Sequence, residues 1–430
     1  MAKKHEPYAP RWLKLDNAGL IYPPSRSRNW AAMFRVAATL DECIDPTALQ
    51  SALKIVMKRM PSFAYRLRRG VFWYYLERMA DAPVIQQDVI NPMVPMDLPG
   101  NRHFMFRVRY YDRRIAVEVF HALTDGTGAM IFLSTLVAQY LKQKGEQNIA
   151  AGGMVLNAKD RVSDAELQDS FLQYARSARS SRLERAAYRI VGTPAKRHRI
   201  IITTGTMSAK DVLEKAKAYG VTVTTLFAAV LLETLLQKQK SDPSKKMRKR
   251  PVKVSIPVNL RPFYNSVTLR NFASYINVGV EGAWGDYSFE ELLSRVKHQL
   301  GLELTEKGLN ARFSANVWDE YNPVIRGLPL MIKAPFMKFM YRWQGDRYCT
   351  MTMSNLGMVR LPESVACHIE RLDFLLGAAS GNPVNCAVAT IGDTVSINFT
   401  RTITESSIEQ GFFTRLIKLG IPVVIQSNRR

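Results

Sequence analysis

Apolar and polar residues alternate from Arg114 to Phe120, the period of a strand. Ile115, Val117, Val119 and His121 fall on one face, and Arg114, Glu118 and Phe120 on the other. Downstream the period changes. Ala129, Met130, Phe132, Leu133, Leu136, Val137, Tyr140 and Leu141 recur at helical spacing, which predicts a helix over about 127–143. Thr124 or Thr127 is placed to cap it, and Gly126 with Gly128 permits a sharp turn. His121 therefore ends a strand, and Asp125 stands in the turn behind it.

The same patterning places other elements of the first half. An aromatic opening segment (Trp12, Leu13, Leu15, Leu20, Ile21, Tyr22) and a Pro23-Pro24 break precede a strand expected from Trp30 to Thr39. Asp45-Pro46 reads as an N-cap followed by proline at the first helical position, opening a helix to about Met60. Phe63 to Met79 predicts two strands around Arg69-Gly70, and His103 to Tyr111 a partner for Arg114 to Phe120. A polar, exposed connecting helix is expected from Ser163 to about Ile190, carrying Arg176, Arg179, Arg182, Arg185 and Arg189. Gly192 to Arg197 reads as a boundary, giving an N-terminal domain over 1–192 and a C-terminal domain over 193–430.

In the second half, strands are expected over His198 to Thr204, Val252 to Val258 and Met351 to Leu356. Ile369 to Leu376, Asn385 to Thr390 and Val395 to Thr402 suggest an antiparallel set with a hairpin at Gly392-Asp393. Helices are expected from Ser208 to Gly220, Val223 to Gln239, Phe289 to about Leu309, and Ser407 to Leu419. Tyr321 to Trp343 is rich in Met, Phe, Leu and Pro and is broken by Pro329 and Pro335. It reads as core helix, with a membrane-surface segment or an apolar channel lining as alternatives.

Composition narrows this little. The 430 residues are 47% hydrophobic, enough for two or three domains with a substantial core. No run of 18 apolar residues occurs, so no spanning helix is expected, and Met1 to Pro10 lacks the apolar stretch of a secretory signal. The four cysteines are scattered, reading as reduced thiols of a cytoplasmic protein, with peripheral membrane contact left open. The net charge of +23 favours a polyanion: nucleic acid, anionic lipid or a phosphorylated cofactor. No nucleic-acid motif accompanies it. Lys245 to Arg250 is a solvated loop or an electrostatic docking patch.

The chemistry concentrates at His121, whose neutral imidazole can accept a proton near pH 7. A structural histidine is the plain alternative. A metal pair of His121 and Asp125 lacks further ligands nearby, so no metal site is expected.

His121, Asp125 and Gly126 meet a His-x-x-x-Asp-Gly pattern. Three further blocks follow in order: Pro257-Val258-Asn259-Leu260-Arg261, then Thr268-Leu269-Arg270-Asn271-Phe272 through Tyr275, then Ser354-Asn355-Leu356-Gly357. With Lys14-Leu15-Asp16-Asn17-Ala18 at the start, these make the chain resemble the chloramphenicol-acetyltransferase-like superfamily, which includes alcohol acetyltransferases, wax ester synthases and condensation domains. The resemblance implies an α/β fold of mixed sheets: two similar lobes with an active-site tunnel between them. It implies His121 as general base, and a structural ion pair of Asp125 with Arg261 behind Gly126. Asn259, Asn271, Ser354 and Asn355 become candidate oxyanion or substrate-binding groups. Residue 120 is Phe, so the condensation-domain histidine doublet is absent, and no Asp-Phe-Gly-Trp-Gly block occurs.

The expected activity is O-acyl transfer, of an acetyl or short acyl group, from a coenzyme A thioester to a small or lipid-like alcohol. No cofactor is expected to be permanently bound; acyl-CoA, or an acyl carrier protein, is a co-substrate. Two alternatives stand beside it: a carrier-protein-dependent or condensation-type enzyme acting on an amine or lipid hydroxyl, and a non-catalytic ligand- or membrane-binding homologue.

Overall fold

A computed structural model describes residues 9–25, 32–177, 184–196, 199–340, 347–377 and 381–429. Arg114–Phe120 is a strand as expected, flanked antiparallel by Met33–Leu40 and Phe106–Tyr111. That central position buries both of its faces. Glu118 is fully buried, and its carboxylate is met by Arg35 at 3.0 Å, Arg107 at 2.5 Å and Arg109 at 3.5 Å. A buried charge persists only when compensated in this way.

This five-stranded sheet runs Ile369–Leu376, Met33–Leu40, Arg114–Phe120, Phe106–Tyr111, Gln86–Gln87. Pro46–Arg59 and Gly126–Lys144 pack together over it. Asp45 caps the first helix by accepting from the amides of Thr47 and Ala48. A seven-stranded mixed sheet forms the second lobe, in the order Ala273–Glu281, Pro251–Asn259, Met351–Met358, Val384–Ile391, Thr394–Arg401, Ile201–Ser208, Val424–Ser427. Val223–Lys240 is its buried helix. A small sheet of Trp12–Lys14, Tyr74–Arg78 and Tyr65–Arg69 completes the set.

Ile369–Leu376 comes from the C-terminal half, yet it pairs with Met33–Leu40, with Phe374 opposite Val36. The Thr400 hydroxyl of the second sheet donates to its Leu376 carbonyl at 2.7 Å, and Ser396 donates to Leu372. One strand thus joins the two sheets, and neither sheet is filled by one contiguous stretch of chain. Apolar side chains collect in two cores, one per lobe.

Several expectations are corrected. No continuous helix spans Ser163 to Ile190 among the described residues; Asp164–Leu167 and Ser170–Tyr174 stand there instead, and Arg179 and Arg182 lie outside the described residues. The physical reason is competition for carbonyls. Those of Glu166, Leu167 and Gln168 accept from the Leu269 amide, the Arg270 guanidinium and the Thr268 hydroxyl. Phe289 to Leu309 is two helices, Phe289–Glu303 and Glu306–Tyr321, because Thr305 starts the second by capping Gly308. The core helix expected over Tyr321 to Trp343 is instead two short helices, Pro323–Gly327 and Leu330–Met340, with an exposed apolar face; 341–343 lie outside the described residues. His198 also lies outside them, and its strand runs Ile201–Ser208. The closing strand Val424–Ser427 had no counterpart in the patterning.

Candidate active site

His121 follows the last residue of its strand, and its amide bonds to the Ala32 carbonyl at 2.9 Å. The side chain is half-buried. Tyr22 stacks on one side of the imidazole with centroids 4.4 Å apart, and Phe34 meets it edge-on at 4.9 Å. These two contacts hold the ring in place.

Nδ1 lies 3.1 Å from Asn271 Oδ1. The Asn271 amide nitrogen donates to Asp16 Oδ2 at 3.2 Å and to the His121 carbonyl at 3.1 Å. A carbonyl can only accept, so the amide is oriented with its oxygen toward the ring. Nδ1 must then carry the proton, and Nε2 keeps its lone pair. Burial, the largest influence, holds the imidazole below the ordinary histidine value despite the opposing pull of Asp125 and Asn271. The ring is neutral at pH 7.

Asp16 anchors this relay. It is fully buried, accepts from the Gly19 amide at 2.6 Å, and lies 3.6 Å from the Arg270 guanidinium. Burial pushes its carboxyl up to about 6, against the lowering influence of Arg270. Asp16 was not among the sequence candidates for the site. Its signals were an acid set in an apolar opening segment and its place in the Lys14-Leu15-Asp16-Asn17-Ala18 block.

Four residues after His121, Asp125 behaves differently from Asp16. It is extended, and its side chain, rather than Thr124 or Thr127, caps the helix by accepting from the Gly128 amide at 3.0 Å. The Arg261 guanidinium closes on it with two bonds, Nη1 to Oδ2 at 2.9 Å and Nη2 to Oδ1 at 3.1 Å. The pair implied by the resemblance is present. The Phe272 amide adds a bond of 2.8 Å. Burial would raise this carboxyl, but Arg261 and the two amides more than offset it and hold it below the usual range. Arg261 spends its remaining donors on the Thr268 and Arg270 carbonyls and on Asn259 Oδ1.

The two glycines of the turn are not needed for unusual dihedrals, since neither has positive φ. Close approach explains them. A Cβ on Gly126 would stand 2.9 Å from the Phe374 ring, and one on Gly128 2.6 Å from the Leu269 carbonyl oxygen. Gly126 is thus where the joining strand Ile369–Leu376 meets the motif.

The four candidate donors separate. Asn271 has both side-chain N–H groups engaged and serves to orient His121. Asn259 accepts from Arg261. On Met351–Met358, Met353 packs into the second-lobe core while Leu356 reaches the first-lobe core and Gly126. Alternation from Met353 to Asn355 then puts Asn355 on the Met353 side and Ser354 on the opposite side, before the register shifts between Asn355 and Met358. Asn355 accordingly donates to Thr224 of the buried helix at 3.0 Å. The parallel ladder between Met351–Met358 and Pro251–Asn259 covers only Met351 opposite Val254 and Thr352 opposite Ser255. Beyond it the two strands are unpaired with each other, and their ends lie beside Gly126 and Asp125.

No protein-family model matches the sequence, and no curated protein matches it. Solved structures do. Polyketide synthase associated protein 5 from Mycobacterium tuberculosis is similar over 95% of this chain and 97% of its own, at TM-score 0.62 and 14% identity. TRI101 of F. sporotrichioides, solved with coenzyme A and T-2, gives TM-score 0.61 and 11% identity over 97% and 99% of the two chains. The wax ester synthase/diacylglycerol acyltransferase from Marinobacter aquaeolei VT8 gives 0.53 and 16% over 95% and 100%. At such identities the likeness is one of fold, and it extends over nearly the whole chain. The chain has the two-lobed α/β fold of the chloramphenicol-acetyltransferase-like and condensation-domain proteins.

Proposed function

We propose that this protein is an O-acyltransferase that moves a short acyl group from a coenzyme A thioester to a hydroxyl, with His121 as general base. The observation that carries the reading is the fixed tautomer of His121: Nδ1 committed to Asn271, Nε2 left as a neutral acceptor on a half-buried residue. An alcohol is a poor nucleophile at pH 7, and a positioned base contributes about 10²–10⁴-fold.

The steps balance without a covalent enzyme intermediate. Nε2 takes the hydroxyl proton as the oxygen attacks the thioester carbonyl. The tetrahedral intermediate carries the negative charge on the former carbonyl oxygen, where the Ser354 hydroxyl is the candidate donor. Collapse breaks the C–S bond, and the imidazolium returns the proton to the departing thiolate. Coenzyme A enters this reading as a co-substrate, supported by its presence in the TRI101 structure and by the +23 charge, which favours a phosphorylated donor. The parting of the two strands beside the motif supports an opening between lobes through which substrate reaches the ring.

Thiol release from acyl-CoA, followed with a chromogenic thiol reagent across a panel of alcohols, tests the reading. Alcohol-dependent release that disappears in His121→Ala supports it. Release that is unchanged in that variant removes the mechanism, and release that requires an acyl carrier protein moves the donor to the carrier.

A further inference from the structure

Helix Leu330–Met340 is amphipathic in the reverse sense for a core helix. Met331, Ile332, Phe336 and Phe339 are 76%, 60%, 62% and 63% exposed, while Lys333 is 2% exposed. At about 100° per residue, Met331, Ile332, Pro335, Phe336 and Phe339 share an arc of about 140°, and Leu330 and Lys333 point the other way. The inward face is fixed to the tip of the hairpin between Tyr65–Arg69 and Tyr74–Arg78. The Leu330 amide bonds to the Val71 carbonyl at 2.7 Å. The Lys333 amine donates to the Phe72 carbonyl at 3.2 Å and sits 3.4 Å from the Trp73 ring centroid. Val71 and Phe72 are themselves exposed, so the helix and the hairpin tip form one apolar surface.

Charge selects the occupant. Tyr321 to Trp343 contains no acid, and of its described cations Arg326 and Lys338 are exposed while Lys333 is turned inward. Lys338 flanks the apolar arc and is exposed, as is Arg69 beside the hairpin tip. Large aromatic and sulfur side chains facing outward between basic flanks are what an interfacial helix needs: the apolar groups enter the acyl boundary and the cations meet lipid phosphates. We infer that this face docks on an anionic lipid bilayer, with Leu330–Met340 lying in the plane of the interface. Among the described residues no single helix is long and apolar enough to cross a membrane.

The placement bears on the substrate. Tyr22–Ser25 packs against Leu330–Met340, and Tyr22 stacks on His121. Resting on the acyl-transfer reading, this sets the imidazole behind the docking face and points to an acceptor hydroxyl on a membrane-resident lipid.

Vesicle co-sedimentation tests docking without turnover. The full chain is expected to bind vesicles of phosphatidylcholine mixed with phosphatidylglycerol about tenfold or more tightly than phosphatidylcholine alone, with binding weakened by salt. Phe336→Ser with Phe339→Ser should lower binding about tenfold or more while leaving the circular dichroism spectrum and thiol release with a soluble alcohol unchanged. In the unaltered protein, hydrogen exchange over 328–340 should slow on adding the mixed vesicles. Absence of binding, binding insensitive to the double substitution, or unaltered exchange would overturn the inference. So would light scattering that shows a dimer in buffer lost on the same substitutions, since the face would then belong to a second copy of the chain. Docking without thiol release from any acyl-CoA would instead leave the membrane surface standing and remove the acyl-transfer reading.

Discussion

Two carboxylates, Asp125 and Asp16, serve the same short turn and are held in opposite ways. Asp125 accepts two guanidinium bonds and two backbone amides, and its proton affinity is lowered. Asp16 faces a more distant guanidinium at 3.6 Å, and its affinity is raised to about 6. The first arrangement favours folding wherever the carboxylate is ionised. The second works the other way: the folded state holds the Asp16 proton more tightly than the unfolded chain, so above about pH 6 its charge opposes folding. A chain that keeps an unfavourable buried charge beside an Asn271–His121 relay gains orientation from it. Removing Asp125 and removing Asp16 should therefore break different properties of the protein.

The largest effect is expected at the end of the Asp16 relay. His121→Ala should lower kcat by about 10²–10⁴ while the urea midpoint moves little. Equal losses of rate and stability would make His121 a structural residue and erase the contrast.

Next comes Asp125→Ala, which strands the Arg261 guanidinium in a buried site. The expected cost is about 3–5 kcal/mol of unfolding free energy, read by urea denaturation. A fully stable variant with lost activity would move Asp125 from the structural side to the chemical side.

Asp16→Asn sharpens the comparison further. An amide at position 16 has one acceptor oxygen to share between the Gly19 amide and the Asn271 N–H groups; with that oxygen kept on Gly19, its NH2 faces the Asn271 side-chain nitrogen and turns that side chain around. Its N–H would then face Nδ1 and place the ring proton on Nε2, the wrong tautomer. A fall in kcat of about 10²-fold or more is expected with KM little changed, up to the roughly 10⁴-fold cost of a wrong tautomer in a Ser-His-Asp triad. Full activity in this variant would show that the relay does not set the tautomer.

The pH profile is a finer test. His121 must be neutral to act, and burial lowers its value, so kcat/KM should stay level down through pH 6.5 and fall only below it. An acid limb at or above 6.5 would contradict the burial argument.

The smallest effect separates the two faces of Met351–Met358. Asn355→Ala should change kcat by less than about threefold, whereas Ser354→Ala should cost about 10-fold or more if its hydroxyl meets the oxyanion. The reverse ranking would put the wrong face of that strand at the site.

Much of this was legible in the chain. Period-two alternation found Arg114–Phe120, the Asp45-Pro46 pair marked a helix start, and helical spacing found Gly126–Lys144, because each signal lies within a few residues of what it specifies. His121 and Asp125 stood out for the same reason. Hydrophobicity without a partner misled at Leu330–Met340, where an apolar face reads alike whether it meets a core or the outside. The separation of Ser354 from Asn355 also needed coordinates, since it depends on which core each side of the strand touches.

The sequence by itself determined the local units and singled out His121 as the candidate base, since hydrogen-bond periodicity and the intrinsic titration range of an imidazole belong to short segments. Tertiary structure alone decided which tautomer that residue holds, because Asp16 and Asn271 are 255 positions apart and meet only when both lobes are folded. It also decided that Ile369–Leu376 joins the other lobe's sheet, since long-range pairing is set by which edge is open and not by the strand's own pattern.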